Sequence, residues 1–409
     1  MISPGQSLPR WKNLLEIAIL ITALIISAAI ILQGDGVVPK PNMDQHFVQT
    51  VNLQLRRDGG SFVFQYPNLM HAGGITSSVI AGLYKLIIPT TYATLNWHFK
   101  IFSMACHLIS SFFLLRIAIP TKFFSLRILA FLVIATSGFQ LIEPSSDVLS
   151  AALLNLFFIA VLKGWPRLIP AFVLATFGLC KVELTLAAVA LSLFWAVFEW
   201  IQGRSKPYIV ALMTWGFLAL YVAPAFVFSG SNFLQSDRGS TAFFSAYADY
   251  MRLHQFQVPT PSPTEAGVAM QNTVFRDAPT FRDVVSKHPD LYFDFLGVSA
   301  ARSIPNVVKV IKFTFIPLIL VLFNFKKIRQ NYFLFFGAIL VAACILLPSW
   351  LVIFVRMRYL AKVVPILTAG VFASSIELSA NRKIYLPVLW ISGIATIVWQ
   401  ALALTPYQD

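Results

Sequence analysis

Long apolar runs recur from one end of the chain to the other, and this is what most limits how it can fold. Each run would leave backbone polar groups unsatisfied in lipid unless it were helical. The composition agrees: of 409 residues, 57% are hydrophobic and 12% charged, and the mean hydropathy is +0.74. A soluble domain carries about twice that charge fraction. The pattern excludes a soluble protein and predicts an all-α polytopic membrane protein.

Eleven spans fit the runs: 14–32, 101–119, 128–142, 148–162, 168–180, 184–201, 208–228, 306–325, 332–355, 359–379 and 384–404. Three of them, between Arg127 and Lys181, are shorter than the roughly 20 residues that cross a bilayer. Leu14–Leu32 follows Arg10 and Lys12 and reads as an uncleaved first span. It is longer than a signal h-region, and Gln33-Gly34-Asp35-Gly36 is a poor cleavage site. Cys106, Cys180 and Cys344 lie in or beside apolar segments, with neither metal-ligand spacing nor a disulfide framework.

The net charge of +14 must be set against the membrane before it suggests a polyanionic partner. With the N-terminus cytoplasmic, fourteen cations fall in inside loops: Arg10, Lys12, Arg116, Lys122, Arg127, Lys163, Arg167, Arg204, Lys206, Lys326, Lys327, Arg329, Arg382 and Lys383. Only Glu16, Glu199 and Glu377 accompany them, leaving +11 inside and +3 outside. The basicity is thus mostly a topology signal and gives no support to nucleic-acid binding.

Two outer segments are long. Residues 34–100 hold a helix-like stretch Gln45–Arg57, the turn Arg57-Asp58-Gly59-Gly60, and an interfacial or re-entrant stretch from Gly73 to Ile88. Residues 229–304 read as a small helical subdomain. Ala242–His254 has helical aromatic spacing, Val258–Thr264 is an extended linker, and Pro279–Lys287 and Pro289–Ser303 each begin with a helix-starting proline. The expected organisation is a membrane module over 1–228, the subdomain over 229–304 and a second membrane module over 305–409.

Four constellations could carry chemistry. Asp35 and Asp44 follow the first span, where a partly desolvated carboxylate suits a general base; Asp44 could equally cap the helix that follows. Asp147, in Glu143-Pro144-Ser145-Ser146-Asp147, reads as a helix cap, and a helix N-terminus also suits an anion. Lys181 and Glu183 sit at the outer junction of two spans, where they could pair with each other. Arg356, Arg358 and Lys362 cluster on the side where cations are disfavoured. Phosphate binding would explain that placement, as would contact with lipid headgroups. The six histidines are scattered without zinc spacing, and there is no Walker or dinucleotide motif.

These segments together resemble the GT-C superfamily of membrane glycosyltransferases, in its protein-mannosyltransferase-like branch. The resemblance rests on Asp44-Gln45-His46-Phe47 after the first span, Tyr66-Pro67 in the first outer loop, and Ser145-Ser146-Asp147-Val148-Leu149. It also rests on Cys180-Lys181-Val182-Glu183-Leu184 and on Arg358-Tyr359-Leu360-Ala361-Lys362-Val363-Val364-Pro365. It implies a GT-C-like fold and transfer of a hexose or pentose from a polyprenyl-phosphate donor to a glycan, lipid or protein acceptor. Asp44 would activate the acceptor, with Asp35 as its rival. Lys181, Arg356 or Arg358 would hold the carrier phosphate, and His46, Tyr66, Asp147, Glu183 and Tyr359 would line the substrate site. Gln45 replaces the family's usual paired Glu, which weakens any divalent-metal site, and no other cofactor is implied. The expected location is the bacterial inner membrane, with the active site on the outer face. A transporter or flippase of lipid-linked sugars, or a surface-glycan polymerase or ligase, is the alternative. A transporter would place charge at mid-membrane depth.

Overall fold

The computed structural model describes residues 9–33, 57–58, 61–62, 92–138, 141, 145–180, 182–229, 238–253, 263–328, 331–352 and 361–402. Apolar residues without interspersed charge become helices, because a helix satisfies its own backbone. In chain order these are α1 (Arg10–Gln33), α2 (Tyr92–Ala118), α3 (Phe124–Ala135), α4 (Ser145–Leu162), α5 (Leu168–Gly178), α6 (Val182–Ile201) and α7 (Ile209–Ser229). Then come α8 (Arg238–Leu253), α9 (Pro263–Thr273), α10 (Phe281–Lys287), α11 (Pro289–Ile311), α12 (Phe315–Phe323), α13 (Tyr332–Val352), α14 (Val364–Ser379) and α15 (Tyr385–Leu402). Among the described residues the one strand pair is a two-residue antiparallel match of Arg57–Asp58 with Ser61–Phe62. It takes Arg57 out of the expected helix.

Among the described residues, five helical stretches are long and apolar enough to cross a membrane: Arg10–Leu32, His98–Ala118, Leu184–Ile201, Pro289–Phe323 and Tyr385–Leu402. Five shorter apolar helices pack among them. The helix α11 runs through Pro305 to Ile311. Lys312, whose φ of 51° is left-handed, separates it from α12. Pro279 is not a helical residue. Thr280 caps α10 in a capping box with Asp283, whereas Pro289 does open α11. The last residues of the expected linker, from Pro263, are already helical in α9.

Helix directions follow from the contacts. Arg116, near the end of α2, meets Asn13 and Glu16, near the start of α1. Ile31, Met104 and Leu108 form one cluster, with Ile101 and Leu141 packed against it. The two helices are therefore antiparallel. Asn155 of α4 donates to Ser110 and Ser111 of α2 at 3.1 and 3.0 Å. Leu141 packs near Met104, so α4 runs parallel to α2.

The three acids expected inside all serve one end of this bundle. Glu16 meets Arg127 at 2.6 Å and Arg116 at 3.4 Å. Glu199 meets Arg167 at 2.7 Å and Arg204 at 3.6 Å. Glu377 accepts from the Asn331 backbone at 3.2 Å and from its side chain at 3.1 Å. We call this the basic end.

The helices α8 to α11 have their own aromatic core. Phe243, Phe244, Tyr247, Phe275 and Phe295 are buried together, with Tyr292 beside them. Gly267 sits where a Cβ would lie 2.7 Å from Ser245 Oγ and 2.9 Å from its backbone nitrogen, so glycine allows α8 and α9 to approach.

Candidate functional site

At the end of the bundle away from the basic loops, a buried ion pair joins two elements. Lys362, just before α14, donates from Nζ to Asp147 Oδ1 at 2.8 Å, and the two side chains are 0% and 1% exposed. Val148 and Ala151 of α4 pack against Ala361 beside the pair. The helix α4 begins at Ser145, so Asp147 lies within its first turn rather than in the N-cap position expected from sequence. A carboxylate there is favoured by the helix dipole, and here it also neutralises a buried cation.

This corrects the reading of the Arg356, Arg358 and Lys362 cluster. Lys362 is not a third cation available to a ligand, because its charge is met by Asp147. Two motifs that lie 215 residues apart in the sequence thereby become neighbours. Of the other expected site residues, Asp35, Asp44, His46, Tyr66, Lys181, Arg356, Arg358 and Tyr359 lie outside the described residues. Glu183 is the second residue of α6, and its side chain lies outside the described set.

A second polar feature runs inward from the same end. On α2, Lys100, Ser103, His107 and Ser111 are all buried. Their spacing of three, four and four residues puts them on one helical face. That face meets α4 at Asn155. Ser103 Oγ and Asn155 Oδ1 have no hydrogen-bond partner among the described residues. Treating His107 as one of six scattered histidines missed this stripe. Its signal was present in the three-four-four polar spacing within an otherwise apolar run.

In the subdomain, burial pushes the Tyr247 hydroxyl up to about 12, with Tyr250, Asp294 and Asp290 adding to the shift. Asp277 accepts from His288 at 2.9 Å, and this bond holds its carboxyl below the usual range. Among the described residues no three His, Cys, Asp or Glu side chains gather as a metal site. No protein-family model matches the chain, and no curated protein matches it.

Proposed function

We propose that the chain is a membrane glycosyltransferase of GT-C-like architecture with about eleven spans, taking a sugar from a polyprenyl-phosphate donor at the outer face of a bacterial inner membrane. The observation that carries this reading is the Asp147–Lys362 pair. It joins Asp147, in the first turn of α4, to Lys362, which follows Arg358-Tyr359-Leu360 in the sequence, at the end opposite the basic loops. By the positive-inside rule that end faces away from the cytoplasm.

A lipid-linked donor needs no nucleotide-binding fold, because its tail partitions into the bilayer. It needs cations for the phosphate and a base for the acceptor. Arg356, Arg358 and Lys181 supply the cations. Asp44 takes the proton from the acceptor hydroxyl as the sugar's anomeric carbon is attacked, and the polyprenyl phosphate leaves with the bond electrons.

The test is to incubate the purified protein, in bilayer nanodiscs, with radiolabelled polyprenyl-phosphate and polyprenyl-diphosphate sugars. Release of sugar from the monophosphate supports the reading. Release from the diphosphate alone moves the chain to the polymerase or ligase class, and release from neither rejects transfer.

The transporter reading draws on a different observation, the buried stripe Lys100, Ser103, His107 and Ser111. An ionisable residue inside a span marks a functional pathway often enough to be tested. Flux of a lipid-linked sugar across proteoliposomes, lost in His107→Phe, would favour that reading.

A further inference from the structure

By length and composition, Pro289–Phe323 could cross a membrane as one stretch of 35 residues. As a helix it would be about 52 Å long, against a hydrocarbon core of about 30 Å. Its contacts divide it at Lys312.

Asn331, just before α13, bonds to Glu377 near the end of α14, and α15 begins soon after at Tyr385. Both α13 and α15 therefore rise from the basic end. At about 1.5 Å per residue, Trp350 stands about 27 Å above Tyr332, and Trp399 about 21 Å above Tyr385. The helix α11 meets α13 near its top. Ser299 Oγ donates to the Trp350 carbonyl at 3.2 Å, and Tyr292 Oη donates to the Leu351 carbonyl at 3.0 Å. The donors are about 10 Å apart along α11, yet their acceptors are adjacent residues of α13, so the two helices cross steeply. Directly after α11, Phe313 packs edge-on against Trp399, with ring centroids 6.1 Å apart. From Ser299 to Ile311 the helix runs about 18 Å, while the level of its neighbours falls by about 6 Å. Thus α11 lies nearer the plane of the bundle's end than the direction of its spans. After the left-handed Lys312, α12 makes the descent, and its Leu320 carbonyl accepts from Tyr385 Oη at 3.4 Å.

One face of α11 is apolar and open. Phe293, Gly297, Ala301, Ile304 and Val308 follow one another at helical spacing, and all are exposed. Phe293 and Ile304 are 67% and 64% exposed, and a Cβ at Gly297 would meet nothing within 4 Å. The open apolar surface continues through Phe313 to Phe315 and Ile316 of α12. That helix packs on α15, whose Ile394, Val398 and Trp399 are also exposed. As α15 is long and apolar enough to cross the membrane, its open surface faces lipid. The strip on α11 extends this surface at the level where the bundle ends, and aromatic rings at such a level mark a membrane–water interface. Lys309 is exposed beside the strip, within reach of headgroups.

We propose that α11 is an interfacial helix, whose strip from Phe293 to Val308 docks the α8–α11 subdomain on the lipid leaflet at the end opposite the basic loops. Lipid covers the strip in place of water, and Lys309 meets the headgroups. This docking is independent of the transferase reading.

The experiment places a nitrobenzoxadiazole probe on Phe293→Cys, Ile304→Cys or Val308→Cys, in a background with Cys106, Cys180 and Cys344 replaced by alanine. The variants are reconstituted in phosphatidylcholine vesicles. Quenching by nitroxide lipids labelled at the headgroup, high on the acyl chain or low on it gives each probe's depth. Ile394→Cys, midway along the exposed face of α15, is the deep reference, and Ser286→Cys, exposed on α10, is the water reference. The three α11 probes should share one depth, about 5–10 Å into the headgroup–acyl boundary and shallower than the Ile394→Cys probe. A crossing helix would separate the Phe293→Cys and Val308→Cys probes by about 22 Å in depth, and that result overturns the proposal. So does an absence of quenching at all three, which would mean that water or another part of the chain covers the strip. The wild-type chain gives a readout free of substitutions. A phospholipid carrying a diazirine high on its acyl chain should crosslink within residues 293–308. Adducts on α12 and α15 with none within 293–308 would also overturn the docking.

Discussion

The two ends of the bundle balance charge differently. At the basic end each buried acid is shared between arginines. Glu16 holds Arg127 and Arg116, and Glu199 holds Arg167 and Arg204, with Arg116, Arg167 and Arg204 between 27% and 51% exposed. At the opposite end Asp147 meets Lys362, and both are sealed from solvent. A shared acid keeps one arginine when the other is lost. Removing either member of the sealed pair takes that counter-charge away from its partner where water cannot replace it. The two ends therefore differ in how far solvent can take over the charge balance.

Substitutions can break this contrast in order of size. Lys362→Met takes from Asp147 its buried lysine partner and should cost about 3–5 kcal/mol, read as a fall in detergent thermal stability. The double variant Asp147→Leu with Lys362→Met should recover most of that loss, because apolar pairs replace buried ion pairs at little cost. No recovery would mean that other contacts of these residues dominate. Arg167→Ala removes one of two partners of Glu199 and should cost about 1.5 kcal/mol. Arg204→Ala, at the most exposed of these positions and 3.6 Å from Glu199, should change stability by about 0–1 kcal/mol. Equal losses for Arg204 and Lys362 would erase the distinction between the ends.

The smallest expected effect is acid sensitivity in the subdomain. Hydrogen bonds from His288 and from Thr280 hold the carboxyls of Asp277 and Asp283 below 3.8. A depressed folded-state value contributes stability that is complete above the unfolded value and is lost as pH falls through the folded one. Melts of wild type should therefore shift slightly lower between about pH 5 and about pH 3. Thr280→Val should reduce that shift by removing the Asp283 share. An identical shift in the variant would assign the sensitivity elsewhere.

The legible part of the molecule was whatever hydropathy and charge record locally. Apolar runs marked the helices, and basic loops marked the end at which Glu16, Glu199 and Glu377 now meet their partners. Aromatic spacing marked α8, and Pro289 marked the start of α11. The pairing of Asp147 with Lys362 was not legible, because nothing near either residue encodes a partner 215 positions away. Each looked complete alone, one as a cap and the other as a member of a cationic cluster. The break at Lys312 was also hidden, because no glycine or asparagine stands there to mark a positive φ.

The central claim is sugar transfer at the end opposite the basic loops, with Asp44 as the base. It is tested most directly by measuring turnover of a polyprenyl-phosphate hexose and thermal stability together in wild type, Asp44→Asn and Asp35→Asn. Asn keeps the size and capping ability of Asp44 while removing the base. The account predicts an Asp44→Asn protein with wild-type stability and turnover reduced at least about 100-fold. Near-normal turnover in Asp44→Asn with loss in Asp35→Asn would move the base to Asp35, and near-normal turnover in both would contradict catalysis from this loop.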